Sequence, residues 1–409
     1  MTIKSLHRKR LATALASLVP LAVATSAAAQ AVPDCSTLPN PVYVTGSSAV
    51  KPFLGAVATE LTSLTGADQI TVVYISKGSC DGVNAVTSAG TLVTGTVSIW
   101  GADGKEVAGG CNLATAGVQA DIGVSDVFSS SCGVNSLPND VKDFLGPVQS
   151  MTFVVPKKST QPAISAEAAY LTFGFGADGD TPWSDPTKYF VRTASSGTQQ
   201  MLAAAITVPA AKWAAPSANQ LSGSGAVRDA INTVQSTGTQ ADADLAIGIL
   251  ATDVVDKNRA TLRALPYQHF GQTCGFLPDS TAESFDKQNV RDGHYMVWGP
   301  LHMLARTNAG VPTSANAKKV IDILSGAVTP LFDLIALEAT TGVVPDCAMR
   351  VSRDSEVGPL ASYMPPHSCE CKFVAAATNK TPAGCTTCDV PSNCPSSRPA
   401  CNFGFCEVR

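Results

Sequence analysis

The chain has 409 residues, of which 45% are hydrophobic and 15% charged, so it can bury the cores of two or three ordinary domains and is not of the disordered class. Its formal net charge of −4 leaves no basic excess to neutralise a phosphate backbone, which argues against general nucleic-acid binding. The unusual feature is the 13 cysteines, eight of which lie between Cys347 and Cys406.

Residues 1–29 have the three-part pattern of a secretory signal peptide. An apolar run at 11–24 follows four cations and precedes small residues: Lys4, Arg8, Lys9, Arg10 and Ala27-Ala28-Ala29. The run is shorter than the roughly 20 residues that a membrane-spanning helix needs. We predict cleavage near Ala29 or Ala31. The mature chain then has 24 Lys and Arg against 32 Asp and Glu, a net charge of −8.

The mature chain is expected to be soluble and either periplasmic or secreted. No later segment is apolar for long enough to cross a membrane, and Cys35 is not preceded by the small residues of a lipid-attachment motif. Because exported chains meet an oxidising environment, we expect most of the cysteines to form disulfides.

The first elements predict α/β architecture. A strand at 41–44 leads through Gly46-Ser47-Ser48 into a helix with Ser48 as the N-cap residue, and its apolar stripe is Phe53, Leu54, Val57, Leu61 and Leu64. A second strand at 70–75 leads through Gly78-Ser79 into a helix that we expect to begin at Val83. Repeated strand–turn–helix units are typical of parallel sheets.

The remaining segments predict two lobes joined by crossing strands. Strands are expected at 120–124, 151–155, 190–192 and 245–250, and the apolar stretch 295–304 is interpreted as a return into the first sheet. We predict lobe I at 32–150 and 265–378 with an inserted hairpin at 88–118, lobe II at 151–264, hinges near 148–152 and 262–270, and a disulfide-held Cys-rich tail at 379–409.

Four small-residue turns follow predicted strands: Gly46-Ser47-Ser48, Gly78-Ser79, Ser125-Asp126, and residues 192–198, which read Arg-Thr-Ala-Ser-Ser-Gly-Thr. Taken singly, each is an ordinary capping turn, because Ser is a preferred N-cap residue. Together they indicate an anion site, since helix N-termini expose N–H groups and turns of an open α/β sheet gather at the carboxyl ends of its strands.

These four loops, in this order, resemble the phosphate loops of periplasmic phosphate-binding proteins of ABC importers, which have the class II solute-binding fold. Residues 169–174 and 183–185 resemble the segment before that family's arginine loop, and 246–248 resembles a later strand. The resemblance covers roughly residues 40 to 370. It implies a two-lobed α/β protein that binds phosphate or a related tetrahedral oxyanion, performs no chemistry on it, needs no cofactor, acts as a monomer and meets the membrane only through a permease.

Carried over by position, the resemblance implies ten ligand residues: Ser47, Ser48, Ala49, Val50, Ser79, Asp126, Arg192, Ser196, Gly197 and Thr198. Arg192 would supply a two-pronged charged donor, and the Ser and Thr residues would supply hydroxyl and backbone donors. Asp126 would select a ligand that still carries a proton, because a carboxylate only accepts hydrogen bonds. Hydrogen phosphate has such a proton at neutral pH, whereas sulfate does not.

The sequence departs from the family pattern at two positions. Ala49 stands beside Ser48 where a further hydroxyl residue is common, and Ala194 stands where an acid often pairs with the arginine. Losing that acid leaves Arg192 less neutralised, which would favour a more highly charged anion. Lys51 is expected to be a solvent-exposed lysine of the first helical turn.

The cysteine pairing is open at this stage. Cys80 and Cys111 bracket the inserted hairpin, and a disulfide between them would tether the hairpin beside Ser79. The odd total predicts at least one free or intermolecular thiol. The close pairs Cys369/Cys371 and Cys385/Cys388 also suit a zinc site, but export favours disulfides.

Two other functions compete with transport. Ser48 and Lys51 match the S-x-x-K motif of acyl-transfer enzymes that recognise penicillin, but the partner motifs are absent. The four histidines of the mature chain are scattered without metal-ligand spacing and are expected to be structural: His269, His294, His302 and His367. A secreted binding or adhesion protein that displays the Cys-rich tail without a transport role is the second alternative.

Overall fold

The computed structural model describes residues 32–179 and 181–409. The predicted signal peptide and its cleavage site lie outside these residues. Residues 33–409 form one compact unit. No helix within the described residues is long and apolar enough to cross a bilayer.

Seventeen strands are defined in the described residues. They are β1 Pro41–Ser47, β2 Thr71–Lys77, β3 Val97–Ser98, β4 Ile122–Ser125, β5 Val141–Pro156, β6 Ile164–Ser165, β7 Tyr189–Arg192, β8 Gln220–Leu221, β9 Ile247–Ala251, β10 Leu262–Ala264, β11 Tyr267–Gln268, β12 Trp298–Asn308, β13 Val311–Pro312, β14 Val351–Ser352, β15 Ala361–Ser362, β16 Ala400–Asn402 and β17 Phe405–Glu407.

Eleven α-helices are defined in the same part of the chain. They are α1 Lys51–Ser63, α2 Ser79–Thr87, α3 Ala166–Phe175, α4 Gly197–Ile206, α5 Ser224–Thr237, α6 Gln240–Leu245, α7 Thr252–Asp256, α8 Gln288–Arg291, α9 Ala315–Leu324, α10 Leu334–Thr341 and α11 Glu370–Thr378.

The predicted two-lobed α/β fold with crossing strands is confirmed. The main sheet has the order β3-β2-β1-β4-β12-β5-β9-β7-β8. On one side β1 is parallel to β2 and β4, and on the other side β7 is parallel to β8 and β9. The long strands β5 and β12 run antiparallel between these two parallel groups. The exact residue boundaries of the lobes remain a prediction.

Each parallel group is covered by helices on both faces. In the first group Val72 and Tyr74 pack in one cluster with α1, whereas the alternate residues Val73 and Ile75 pack in another with α2. The second group is arranged alike, with Ile249 in the cluster that contains α4 residues and Leu250 in the cluster that contains α5 residues. Buried apolar side chains on both faces are what a parallel strand between helices requires.

The second crossing lies elsewhere than predicted. Residues 148–152 are in β5 where its partner changes from β12 to β9, as expected for a hinge. Residues 262–270 do not cross, because β10 pairs with β5 and β11 pairs with β6. The chain returns at Val297, whose carbonyl accepts a hydrogen bond from the Met151 N–H (3.0 Å), just before β12 begins.

Two helices also begin earlier or later than predicted. The N-cap residue of α1 is Val50 rather than Ser48, and Pro52 lies in the first turn as expected. Helix α2 begins at Ser79, four residues before Val83. Periodicity missed the start of α2 because its first turn, Ser79 to Gly82, carries no large apolar side chain. The start of α1 was misplaced because Ser48 is a preferred N-cap residue, whereas Val50 is not.

The inserted hairpin is short. Strand β3 adds antiparallel to the edge of β2, and Trp100 lies opposite Glu106 across a turn at 101–105. Trp100 packs so closely on α1 that a Cβ at Gly55 would lie 2.6 Å from its ring. The insertion therefore covers the outer end of lobe I.

The possible disulfide between Cys80 and Cys111 does not form. Cys80 pairs with Cys132, and Cys111 pairs with Cys35, so the hairpin is tied to the N-terminal entry of the lobe. Cys132 lies in a single helical turn at Ser129–Cys132, which follows the Ser125-Asp126 loop and packs against α2. Spacing did not reveal this partner because the contact depends on how β4 and α2 meet in space.

The Cys-rich tail is held by disulfides as predicted. Two bonds lie within the tail, Cys388–Cys401 and Cys394–Cys406, and a third, Cys371–Cys385, joins it to α11. Cys347–Cys369 ties the start of α11 to the segment before it. The only regular strands here are the β16–β17 hairpin. Cys274 is free and exposed, which confirms the prediction of an unpaired thiol.

Peptide mapping under non-reducing conditions tests this pairing. We expect one thiol per chain to react with iodoacetamide in denaturant, at Cys274, and crosslinked peptides that join Cys80 to Cys132 and Cys35 to Cys111. A crosslinked peptide that joins Cys80 to Cys111 would contradict the fold of lobe I described above.

Candidate functional site

The four predicted loops meet at one edge of the sheet. Because parallel strands end at a common edge, the turns after β1, β2 and β4 lie together, and so do those after β7 and β8. The turns lead into α1, α2, α4 and α5, so four helix N-termini point toward the same region. Such N-termini carry unpaired N–H groups and a partial positive charge.

Asp126 lies at the centre of the lobe I loops and is 1% exposed. Its Oδ2 accepts hydrogen bonds from the Ser47 hydroxyl and from the Ser79 hydroxyl (3.1 Å), and its N–H donates to Ser79 Oγ (3.2 Å). Its other oxygen, Oδ1, is buried without a hydrogen-bond partner among the described residues. Burial raises the pKa of the Asp126 carboxyl, while the Ser47 and Ser79 hydroxyls and the charge of Arg192 oppose that rise.

Arg192 is the charged donor of lobe II and is also 1% exposed. Its Nε donates to the Leu221 carbonyl (3.1 Å), Nη2 to the Ser222 carbonyl (3.0 Å) and Nη1 to Ser224 Oγ (3.2 Å). Burial lowers its pKa to about 10, which still leaves the guanidinium charged at neutral pH. These bonds use three of the five N–H donors of a guanidinium, so two remain for a ligand.

The loops of the two lobes touch each other directly. The Cys80 N–H donates to the Ser195 carbonyl (3.0 Å), which joins the start of α2 to the loop before α4. A Cβ at Gly197 would lie 2.2 Å from Ser79 Oγ and 2.7 Å from Asp126 Oδ2. Glycine is therefore required at position 197 for the N-terminus of α4 to approach the carboxylate this closely.

Several polar groups at these helix starts have no partner within the described protein. Val50, Ser196 and Gly223 are the N-cap residues of α1, α4 and α5, and none of them makes a side-chain capping bond. The Thr198 hydroxyl, in the first turn of α4, is buried and unpaired. Buried polar groups are normally hydrogen-bonded, so these groups and Asp126 Oδ1 indicate a ligand with both donor and acceptor atoms.

No protein-family model and no curated protein matches this chain. Several solved structures resemble it. A putative phosphate ABC transporter substrate-binding protein with bound phosphate from Clostridium perfringens is 14% identical, with a TM-score of 0.48, over 75% of this chain and 99% of the other. An ABC-type phosphate transport receptor from Vibrio cholerae is 14% identical, with a TM-score of 0.46, over 75% and 100%.

A regulatory protein gives a similar match. The reduced OxyR regulatory domain from Pseudomonas aeruginosa is 9% identical, with a TM-score of 0.38, over 71% of this chain and 98% of the other. At these values none of the three determines what this chain binds. The ligand is inferred below from the chain's own side chains.

The ten predicted ligand residues all lie on the four loops, in the order the sequence implied. Nine of them are buried, and Ser48 is half-buried beside Ser224. Two neighbours were missed. Ser224 lies in a fifth Gly/Ser turn, which follows the two-residue strand β8, and Tyr74 donates its hydroxyl proton to the Ser47 carbonyl from within β2.

The S-x-x-K pair does not form. Lys51 Nζ bonds to Glu106 (3.0 Å) and lies 5.9 Å from the centre of the Trp100 ring, and no hydrogen bond joins it to Ser48 among the described residues. Lys51 is therefore a paired, partly exposed lysine. The zinc interpretation also fails, because the cysteines grouped closely enough to bind a metal, Cys388, Cys394 and Cys406, are all in disulfides.

Gln149 on β5 connects the first loop to lobe II. Its Nε2 donates to the Ala49 carbonyl (3.2 Å) and, at 3.4 Å, to Asp253 Oδ1 on α7. Asp253 is 2% exposed, and burial raises its pKa to about 7. Burial favours the protonated form of Asp253, which helps to explain how the carboxyl is tolerated here without a cation bonded to it among the described residues.

Asp253→Asn tests this account. Burial raises the pKa of the Asp253 carboxyl to about 7 in the folded chain, whereas the ordinary pKa of an aspartate in an unfolded chain is about 3.8. Between these values the folded state binds more protons, so wild-type stability falls as pH rises. We expect the free energy of unfolding of the variant, relative to wild type, to rise by up to about 4 kcal/mol between pH 4 and pH 7, measured by urea denaturation.

The exposed Asp229→Asn variant is the control for removing one carboxylate. A difference between Asp253→Asn and wild type that stays the same at pH 4 and pH 7 would show that Asp253 is not protonated in the folded chain.

Proposed function

We propose that this chain is an exported solute-binding protein that holds phosphate, or a related tetrahedral oxyanion, between its two lobes and delivers it to an ABC-type importer. One observation carries the proposal. A buried arginine and a buried aspartate lie where four helix N-termini meet, and each is held by neutral groups that leave some of its hydrogen-bonding capacity free.

The donors suit an oxyanion. Arg192 retains two N–H donors, Thr198 has an unpaired hydroxyl, and the starts of α1, α4 and α5 have uncapped N–H groups. Preorganised dipoles of this kind bind anions without a large net positive charge. This fits a chain with an acidic overall composition.

Asp126 supports phosphate over sulfate. Its Oδ1 is a buried acceptor without a partner among the described residues, and a ligand that carries a proton can satisfy it. A ligand without that proton would leave the carboxylate facing negative charge, and such a mismatch can reduce binding by a factor on the order of 10⁴. Hydrogen phosphate therefore matches the site, and sulfate does not.

The way the lobes are connected supports binding and release by hinge motion. Across the site the lobes contact each other through bonds such as that from the Cys80 N–H to the Ser195 carbonyl. The continuous strands β5 and β12 also join the lobes and can serve as the hinge, so that opening would separate the loops and release the ligand. The six disulfides fit an exported protein, although the predicted signal peptide is outside the described residues.

Equilibrium dialysis with labelled inorganic phosphate tests the proposal. We expect saturable binding by the wild type that a hundredfold excess of sulfate does not displace. Arg192→Ala should raise the dissociation constant by at least about thirtyfold, because it removes a buried charge-assisted donor. Asp126→Asn should weaken phosphate binding and narrow the preference over sulfate, because an amide can donate to an unprotonated oxygen.

Arg228→Ala is the matched control for loss of an arginine, since Arg228 is exposed and pairs only with its neighbour Asp229. It should bind phosphate like the wild type. Wild-type protein that binds neither phosphate nor another tetrahedral oxyanion would overturn the proposed function.

The Cys80–Cys132 disulfide should matter for affinity. It ties the residue after Ser79 to the turn that follows Asp126, and so it holds the pair joined by the 3.1 Å hydrogen bond. We expect Cys80→Ser/Cys132→Ser to weaken phosphate binding about tenfold, because the loops must then be ordered when the ligand binds. Cys388→Ser/Cys401→Ser, in the tail, is the control and should leave phosphate binding unchanged.

A further inference from the structure

A fifth loop reaches the site from lobe II. Strand β8 lies beside β7 in parallel, with Leu221 in register with Arg192, so the chain leaves both strands at the same edge of the sheet. Residues 222–225 read Ser-Gly-Ser-Gly and lead into α5, a helix of 14 residues. This is the same strand–turn–helix arrangement as in the predicted ligand loops.

Ser224 is the side chain that this loop places against the site. It is 5% exposed, and its Oγ lies 3.2 Å from Arg192 Nη1 and 3.5 Å from Ser48 Oγ. It thus contacts one predicted ligand residue from each lobe. Ser222, two residues earlier, has an exposed side chain and uses only its backbone carbonyl, which accepts from Arg192 Nη2.

The direction of the Arg192 bond determines what the Ser224 hydroxyl can do. Arginine only donates, so Ser224 Oγ accepts from it and keeps its own proton for another acceptor. Ser48 Oγ, at 3.5 Å, is too far to hold that proton in a normal O–H···O bond of about 2.7–2.8 Å. A buried hydroxyl proton beside a guanidinium is well placed to meet a negatively charged oxygen.

Other polar groups in the same region also lack a hydrogen-bond partner among the described residues. Thr198 Oγ1 and Asp126 Oδ1 are buried without partners, and both residues are 1% exposed. The Asp126 carboxylate is directed at the start of α4, where its Oδ2 would lie 2.7 Å from a Cβ at Gly197. Gly223 offers no side chain to cap α5, so the first N–H groups of that helix are not satisfied by a cap.

We infer that Ser224 is a ligand-binding residue that donates its hydroxyl hydrogen bond to the bound oxyanion while it anchors Arg192. The inference rests on the proposed function and adds a fifth loop to the binding site. It also accounts for Ala194, because the arginine is held by Ser224 and two backbone carbonyls and needs no neighbouring acid. The ligand then meets a guanidinium whose charge is not offset by a bonded carboxylate.

Ser224→Ala and Ser222→Ala form a matched pair for the test. Each removes one hydroxyl from the same loop, but only the first removes a group directed at Arg192. With inorganic phosphate as the probe in calorimetric titration, we expect Ser224→Ala to raise the dissociation constant roughly ten- to a hundredfold, as for a lost bond to a charged group. Ser222→Ala should stay within about twofold of the wild type.

A second measurement distinguishes a direct contact between the Ser224 hydroxyl and phosphate from an indirect effect in which Ser224 only positions Arg192. In a crystal structure of the wild-type phosphate complex, Ser224 Oγ should lie within hydrogen-bond distance of a phosphate oxygen. The ligand-free Ser224→Ala protein should melt slightly below the wild type, because Arg192 loses one of its acceptors, and the increase in melting temperature on adding phosphate should shrink.

The outcomes are distinct. If the wild type binds phosphate and Ser224→Ala binds it equally well, or if Ser224 Oγ is beyond hydrogen-bond reach of the bound phosphate, the inference is wrong and the proposed function stands. If the wild type binds no tetrahedral oxyanion, the proposed function fails and this inference fails with it.

Discussion

The structure depends on burying a guanidinium and a carboxylate in one place without bonding them to each other. Arg192 is held by carbonyls and a hydroxyl of lobe II, and Asp126 by hydroxyls of lobe I. Removing charges from water is costly unless each charge keeps good hydrogen bonds. Neutral hydrogen-bond partners offset that cost for each charge. Because Arg192 and Asp126 do not bond to each other, their free donors and acceptor can bind a charged ligand between them.

This arrangement follows from the parallel strand groups. A strand that continues into a helix through a small-residue turn places the helix start at the carboxyl edge of the sheet. Here each group is covered on both faces, so it contributes two helix starts, α1 with α2 and α4 with α5. The strands β5 and β12 join the two groups, and the Cys80 N–H to Ser195 carbonyl bond brings helix starts of the two groups together at the site.

The sequence predicted these loops because their chemistry is local. Strand–turn–helix order and small hydroxyl residues are visible in any short window, and they located the loops of Ser79, Asp126 and Arg192, whose roles as ligands were implied by the resemblance to phosphate-binding proteins. The features that the sequence did not predict depend on contacts between parts of the chain that are far apart in sequence. The partner of Cys80 is fixed by how α2 packs on the turn after β4, and the return crossing at Val297 is fixed by β12 pairing with β5. Ser224 is different, because its turn was visible, but the strand before it has only two residues and carries no hydrophobic pattern.

The shortness of β8 has a further consequence for the arginine. Gln220 and Leu221 pair with the end of β7, after which the chain turns at Ser222 and Gly223 and exposes its carbonyls to Arg192. A longer strand would bond these carbonyls to a neighbouring strand instead. The early end of β8 therefore supplies acceptors that an acid at position 194 would otherwise supply. Because carbonyls carry no formal charge, the site keeps the full positive charge of Arg192, and that charge also opposes the rise that burial causes in the pKa of Asp126. The ionised Asp126 then presents its unpartnered Oδ1 as an acceptor, which favours an anion that carries a proton.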